Sequence, residues 1–452
     1  DKKCDPTDPE ACESGLVCEQ VQGLEGEEAM QCLAPVQVEG RVFDLATNTA
    51  VANALVSAVD VNGAPVGSQT TSRADGTYTL HIPSVRADES GAPVNQRISL
   101  HAAARDYATF PSGLRVALPF DSSVAAQADA EDEASPFVIK ADVTDVGLLA
   151  LPAEQRGLPS VTGTVDVGEV RGVLVVAETG TEPGQGRSAT VDGSGAFTLF
   201  NVPAGSYSVK AFGRGANWTP ASVDVAAADV AGVQLARAQT APATLSGTVS
   251  FVGPGAGPVT SVVMVVASTF DAVTGRGEVP PGLRAPEPGT ALNVSSAFSI
   301  AGVPDGRYAV LAAFENDNNV RDPNPNTSGT DVQFVTITNG QVEVAPEAFK
   351  VTSALTLVGP GAGEAVDAVS ATPTFSWQAY PSAETYDVIV FDTFGNVLWE
   401  QAGLPKTSTS VAYAGPALAP GSLYQWRVTA RGNAGNPISR SEDLEGLFRV
   451  QP

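Results

Sequence analysis

After Pro35 the chain is interrupted too often to hold long helices. Short runs rich in Val, Thr, Ala and aromatics alternate with Gly, Pro, Asp and Asn, and the 452 residues include 45 Gly and 33 Pro. Glycine and proline close strands and open turns, so this punctuation is the pattern of many short strands. No stretch keeps an apolar period of 3.6 residues over a helix length with caps. The Ala-rich segments 124–133 and 223–233 support a helical turn at most. The fold class expected is all-β: tandem β-sandwich domains in a rod, behind a small disulfide-rich N-terminal segment. The longest apolar run, residues 262–267, has strand length and falls far short of the roughly 20 residues of a membrane span.

An internal repeat organises the middle. Three segments open alike, as Val38-Glu-Gly-Arg-Val42, Val161-Thr-Gly-Thr-Val165 and Leu245-Ser-Gly-Thr-Val249. Each has a glycine inside a strand, which marks a bulge or a close approach of another chain segment. Each is followed by a tight turn into an aromatic and then an aliphatic two residues on: Asp75-Gly-Thr-Tyr-Thr-Leu80, Gly195-Ala-Phe-Thr-Leu199 and Ser296-Ala-Phe-Ser-Ile300. A period of two puts both side chains on one face, turned inward. The second and third copies continue as Val202-Pro-Ala-Gly-Ser-Tyr-Ser-Val209 and Val303-Pro-Asp-Gly-Arg-Tyr-Ala-Val310, with Tyr207 and Tyr308 expected in the cores.

At these residues the chain resembles the carboxypeptidase regulatory-like domain, a transthyretin-like β-sandwich. The second copy fits best. The first lacks the Pro-x-Gly turn, and the third carries a Pro-rich insertion at 275–290. The resemblance implies accessory modules without catalytic residues of their own. Further on, Pro373-Thr-Phe-Ser-Trp377 and Leu418-Ala-Pro-Gly-Ser-Leu-Tyr424-Gln-Trp-Arg-Val428 resemble the fibronectin type III domain. That resemblance implies Trp377 in the core and Tyr424 as a tyrosine corner. The expected units are 1–35, 36–151, 158–238, 243–351 and 353–452. The linkers are short, which favours a semi-rigid rod.

The four cysteines, Cys4, Cys12, Cys18 and Cys32, all lie within the first 32 residues. A segment this short cannot bury a core, so cross-links must order it. The spacings lack the C-x2-C pairs of a zinc knuckle. Two disulfides formed in an oxidising compartment are therefore expected, and the pairing Cys4–Cys18 with Cys12–Cys32 is favoured because it staples both halves. The implied location is extracellular or the bacterial outer surface. The expectation includes a removed export signal and a lipidated cysteine before Asp1 as a possible membrane anchor.

The formal net charge of −25 repels phosphate backbones, so nucleic acid is excluded as a partner. Catalytic chemistry finds little support. Ser194 sits between two glycines, but in a hairpin turn rather than on a strand-to-helix elbow. His81 and His101, the only two histidines, lie in strands. No catalytic residue is assigned. Two weaker sites stand out. The loop 315–331 is dense in the oxygen donors that calcium prefers, with Asp317, Asn319 and Asp322 as first ligands, although it lacks the EF-hand spacing; the competing reading is a loop of Asx turns. Trp218 is either a ligand platform or a plug at a domain seam. Two functions follow: a structural or adhesive surface protein that associates with other protein chains or with itself, or a calcium-dependent carbohydrate- or peptide-binding accessory protein.

Overall fold

In a computed structural model the described residues are 3–451, apart from 9, 10, 14, 113, 114, 116, 181, 254, 288, 289, 315, 316, 364 and 365. The chain is built of strands, and the helical segments among the described residues are three-residue 3-10 turns such as Ser122–Val124. The Ala-rich segments form no α-helix: the first holds the short strand Ala126–Gln127, and the second is framed by strands Ala221–Val225 and Val230–Leu235.

The N-terminal segment is a hairpin, Val17–Gln20 against Met30–Leu33, in which Cys18 stands directly opposite Cys32. Disulfides join Cys4 to Cys18 and Cys12 to Cys32, the expected pairing. The hairpin is docked by a buried ion pair, Glu19 to the fully buried Arg86 at 2.5 Å. Arg86 Nη2 also donates to the Ala34 carbonyl. With its remaining donors engaged, this guanidinium is a satisfied core group, not a free charge.

Four sandwiches follow, each with two sheets facing one core. In the first, Val36–Asp44 pairs with Thr77–His81 on one sheet, and Leu55–Asp60 pairs with Arg97–Ala103 on the other. Val38, Leu80, Val56 and Leu100 meet between them. In the second, Val161–Val165 lies between Ala196–Leu199 and Val230–Leu235, facing Leu174–Glu178 and Gly205–Phe212. The third repeats the scheme with Ala243–Phe251, Val262–Val266 and Gly306–Ala312. The last packs Thr374–Trp377 against Thr385–Phe391 and Leu423–Arg431.

The repeated glycine is set by close approach in all three copies, of a backbone carbonyl in the first two and of an aromatic ring in the third. Gly40, Gly163 and Gly247 are paired across antiparallel strands with Tyr78, Phe197 and Phe298. A Cβ at Gly40 would stand 2.0 Å from the Thr144 carbonyl oxygen, and one at Gly163 2.0 Å from that of Val233. At Gly247 it would meet the Phe298 ring at 2.7 Å. The aromatic ring covers the glycine, which stiffens a position that glycine alone would weaken. The motif is thus a single packing unit: glycine on the first strand, aromatic on its partner.

The cores do not stop at each sandwich. Leu174–Glu178 is buried along its whole length. Val173, Val175 and Ala177 face the second core, while Leu174 and Val176 join Phe212 in the third. Phe212 meets Tyr308 edge to face, with ring centroids 5.9 Å apart. Tyr207 and Tyr308 are buried as expected, and each hydroxyl donates to the carbonyl four residues back, at Pro203 and Pro304. The short linkers suggested a rod in which each unit meets its sequence neighbours. The structure adds a close approach one unit further: Pro281 of the third sandwich packs against Gly172 of the second, and a Cβ added at Gly63 of the first would stand 3.7 Å from it.

Tyr308→Ala should destabilise the third sandwich by about 3–5 kcal/mol, the usual cost of removing a buried aromatic. Tyr308→Phe should lose only about 1 kcal/mol, for one hydrogen bond. Domain-resolved hydrogen exchange checks both, and because Tyr308 touches Phe212 the Ala variant should also loosen the second sandwich.

Candidate functional site

The sequence-derived candidates scatter. Ser194 is a turn residue whose hydroxyl donates to Asp192 Oδ1 at 2.6 Å, while the same oxygen accepts the Ser194 and Ala196 amides. Burial pushes His101 down to about 4, so it is uncharged at neutral pH. Trp218 is buried in the core of its own sandwich. Its indole N–H donates to the Asp166 carbonyl at 2.8 Å, and Arg237 lies over its ring. This corrects the expectation of a ligand platform or seam plug: an indole lacking both an open face and a spare donor serves packing.

In the 315–331 segment, whose first two residues lie outside the described ones, the structure joins Asp317 to Asn319 and sets Asp322 apart. Asp317 Oδ1 accepts the Asn319 amide and Oδ2 accepts the Thr260 hydroxyl. Asn319 is fully buried. Its side chain accepts from Gly257 N–H and donates to the Val259 carbonyl. Asn319–Arg321 is a strand paired with Phe349–Ser353. Such a strand advances about 3.3 Å per residue, which carries Asp322 about 10 Å from Asn319. Asp322 instead accepts the Asn324 amide in an Asx turn. Two of the three expected calcium ligands are thus neighbours and the third is not.

What this strand does deliver is Arg321. Its guanidinium crosses into the last sandwich, where Nη2 donates to Asp443 Oδ2 at 2.6 Å. Arg276 reaches the same residue from the turn after Phe270, donating to the Asp443 carbonyl at 2.9 Å. From the last sandwich Arg427 lies 3.5 Å from Asp443 Oδ1 and donates back to the Thr274 carbonyl. Arg440 pairs with Asp331 at 3.7 Å. Arg321, Arg276, Arg427 and Asp443 are all buried. Burial alone would raise the Asp443 carboxyl, but Arg321, Arg427 and Arg440 hold it well below the usual range. Burial lowers Arg427 to about 10, Asp443 opposes the fall, and the other three arginines add to it.

Beside this cluster lies the Glu442 carboxylate, 3% exposed, whose charged form the nearby backbone of Asp317 and Asn318 favours. Burial, with Glu445 and Asp317 adding to it, pushes Glu442 up to about 8. Burial also raises Glu445 to about 7. Backbone bonds close the seam: Ala354 N–H to the Asn318 carbonyl and Leu355 N–H to the Arg440 carbonyl. The loop read as a calcium site is thus also a docking element between sandwiches.

The other joints are polar in the same manner. Between the first two sandwiches Arg105 forks onto Asp229, with both contacts at 2.8 Å, and Asn201 bridges Asp106 N–H and the Tyr107 carbonyl. Between the second and third, Ser268 donates to Glu178, which also pairs with Lys210 at 2.6 Å. The largest cavity described, about 690 Å³, lies between the N-terminal hairpin and the first sandwich and is rimmed by Glu13, Glu89, Asp132 and Glu133.

Sequence reasoning missed the arginines. Little in the sequence signals them: in the strand Leu423–Arg431, alternation puts Arg427 with Gln425, Thr429 and Arg431 on the face opposite Tyr424, Trp426 and Val428, which reads as an ordinary solvated face.

Comparison with known proteins adds one feature. Residues 363–445 match a family described as the Rha78A-like N-terminal immunoglobulin domain, so most of the last sandwich is immunoglobulin-like. Within it Trp377 is buried in the core and the Tyr424 hydroxyl accepts the Ala419 amide at 2.8 Å. No curated protein matches the sequence. Among solved structures, BcpA, the major pilin subunit of Bacillus cereus, is 12% identical, covering 71% of this chain and 100% of that chain at a TM-score of 0.19. The shaft pilin SpaA from Lactobacillus rhamnosus GG is also 12% identical, covering 45% and 98% at 0.18. The Bacillus anthracis TIE protein is 11% identical, covering 89% and 68% at 0.14. At these TM-scores the whole arrangements do not superpose, and the likenesses carry no weight for what this chain does.

The raised carboxylates fix a pH dependence at the last seam. Their folded values lie above their unfolded ones, so the folded state holds protons that the unfolded chain releases from about pH 4.5 upward. Their stabilisation is full below that value and is lost as pH rises through 7 and 8. Hydrogen exchange around residues 437–443, corrected for intrinsic rates, should therefore show less protection at pH 9 than at pH 5. Glu442→Gln should remove most of the difference.

Proposed function

We propose that the chain is a non-enzymatic structural protein of the bacterial surface, acting as a scaffold, a spacer or a subunit of an extracellular fibre or envelope complex. The observation that carries this reading is the buried seam between consecutive sandwiches, apolar at Phe212 and Tyr308 and ionic at Asp443. Modules that merely tether a binding site do not need buried joints, whereas a spacer that holds distance does. The disulfide-bonded hairpin supports residence in an oxidising, extracellular setting. Among the described residues no helix is long and apolar enough to cross a membrane. A lipid anchor ahead of Asp1 belongs to the proposal. So do the finer readings of the repeats as carboxypeptidase regulatory-like and of the last unit as fibronectin type III-like.

The partners in this reading are other protein chains, reached through open sheet edges. Val397–Pro405 is a nine-residue edge strand, paired on one side with Thr385–Phe391, and Val397 is half-exposed. An open edge offers its backbone groups to a strand from a neighbour. The alternative is calcium-dependent binding of a carbohydrate or peptide at the oxygen-rich loop that carries Asp317, Asn319 and Asp322; the composition of that loop supports it, and the separation of Asp322 from the other two speaks against all three holding one ion.

Native material should sediment as a complex or polymer in which the sandwiches contact other chains. A native monomer with substrate turnover would overturn the proposal, and a monomer that binds glycans only when calcium is present would favour the alternative.

A further inference from the structure

The cleft beside the N-terminal hairpin is built from parts that a sandwich does not require. One wall carries Leu33 together with Glu13 and Leu16, which follow Cys12, and the Cys12–Cys32 disulfide ties it together. A second wall is the turn at Glu89. The Asp88 carboxylate fixes it by accepting the Ser90 amide at 2.8 Å, and Arg86 Nη1 donates to the Gly91 carbonyl. A third is the turn at Asp132, between strands Ala126–Gln127 and Phe137–Ile139. There Gln127 Nε2 donates to the Asp132 carbonyl at 2.9 Å, and the Asp132 carboxylate accepts the Ala134 amide at 3.0 Å. The second sandwich makes the corresponding connection to that at Glu89 through residues 200–204, whereas the first spends residues 82–96 on it.

The three walls converge on a cavity of about 690 Å³, within the size range of ligand clefts. Its lining is of two kinds. Leu16 and Leu33 supply apolar surface, and the exposed carboxylates of Glu13, Glu89 and Asp132 stand at the rim with no Lys, Arg or His among the lining residues. Glu13 and Glu89 have no ion-pair partner among the described residues. A metal ion does not match this spread. Calcium gathers its oxygens at about 2.3–2.6 Å around one point, and among the described residues no three carboxylates bring oxygens within 4.8 Å of one another. A side chain with an apolar stem and a cationic head does match, because the stem covers the leucines while the head stays at the wet, acidic rim.

We propose that this cleft docks a lysine- or arginine-bearing segment of another protein. Charge complementarity selects the partner: a second copy of this chain would bring a further net charge of −25 to an acidic rim, whereas a basic segment is drawn to it. The disulfide and the anchored turns hold the walls in place before the segment arrives, so little ordering of the cleft is needed on binding. The cleft lies on the first sandwich, apart from the Val397–Pro405 edge of the last, so either contact can fail without the other.

The test is titration of the full chain with two capped peptides, Leu-Lys-Ala-Lys-Leu and its arginine counterpart, followed by calorimetry and hydrogen exchange. Saturable binding that weakens as salt rises is expected, with slower exchange at residues 32–34, 89–91 and 127–134. The same peptide with norleucine in place of lysine keeps the stems without the charge and should not bind. Glu13→Gln combined with Glu89→Gln should weaken binding by about fivefold or more, the effect of removing two exposed charge contacts. Glu154→Gln combined with Glu400→Gln removes the same charge from exposed positions elsewhere and should leave binding unchanged. Far-UV circular dichroism confirms that both double variants fold. Failure of both peptides to bind, equal weakening in the two double variants, or protection of the cleft by calcium chloride and not by peptide would each overturn the inference.

Discussion

Two-sided burial of a few strands governs this molecule. A sandwich normally covers one face of each sheet and leaves the other to water. Here Leu174–Glu178 and Val262–Val266 are buried on both faces. Alternate residues of the first serve the second and third cores. In the other, Val262, Met264 and Val266 fill the third core while Val263 and Val265 pack under the Phe270 turn. That turn then projects Arg276 toward Asp443. The apolar continuity between the second and third units and the ionic contact between the third and last are therefore linked through one strand.

The seams differ in chemistry, and the difference has consequences. The Phe212–Tyr308 contact is apolar and insensitive to salt. The Asp443 cluster is ionic and desolvated, and the raised carboxyls of Glu442 and Glu445 lie near Asp443 in sequence, so this seam responds to pH. The Arg105–Asp229 fork between the first two sandwiches is half-exposed and weaker, as surface pairs are. The last joint is the one through which solution conditions act most strongly on the shape of the chain.

Much of the fold was legible in the sequence because strand packing leaves local marks. The glycine in each apolar-x-Gly-x-Val opening and the aromatic after each turn are short-range signals, and each proved to be half of one cross-strand pair. The cysteines cluster in one short segment, and the pairing favoured because it staples both halves, Cys4–Cys18 with Cys12–Cys32, is the one formed. The seams were not legible, because their partners are far apart: Arg321 and Asp443 are 122 positions from one another. Composition alone left two places open. The indole of Trp218 on a Gly-rich loop looked available, yet the loop folds it inward onto Asp166. The oxygen-rich loop looked like a ligand set, yet a short strand separates Asn319 from Asp322 and sends Arg321 into the neighbouring unit.

The central claim is that buried seams join the sandwiches into one semi-rigid body. Pulsed electron–electron spin resonance tests it directly, with spin labels on cysteines introduced at the exposed Val124 in the first sandwich and Val397 in the last. The four native cysteines are closed in disulfides and do not compete for label. The account predicts a single narrow distance distribution at neutral pH that broadens when Asp443→Asn opens the last seam. A broad distribution in the unaltered chain would contradict it.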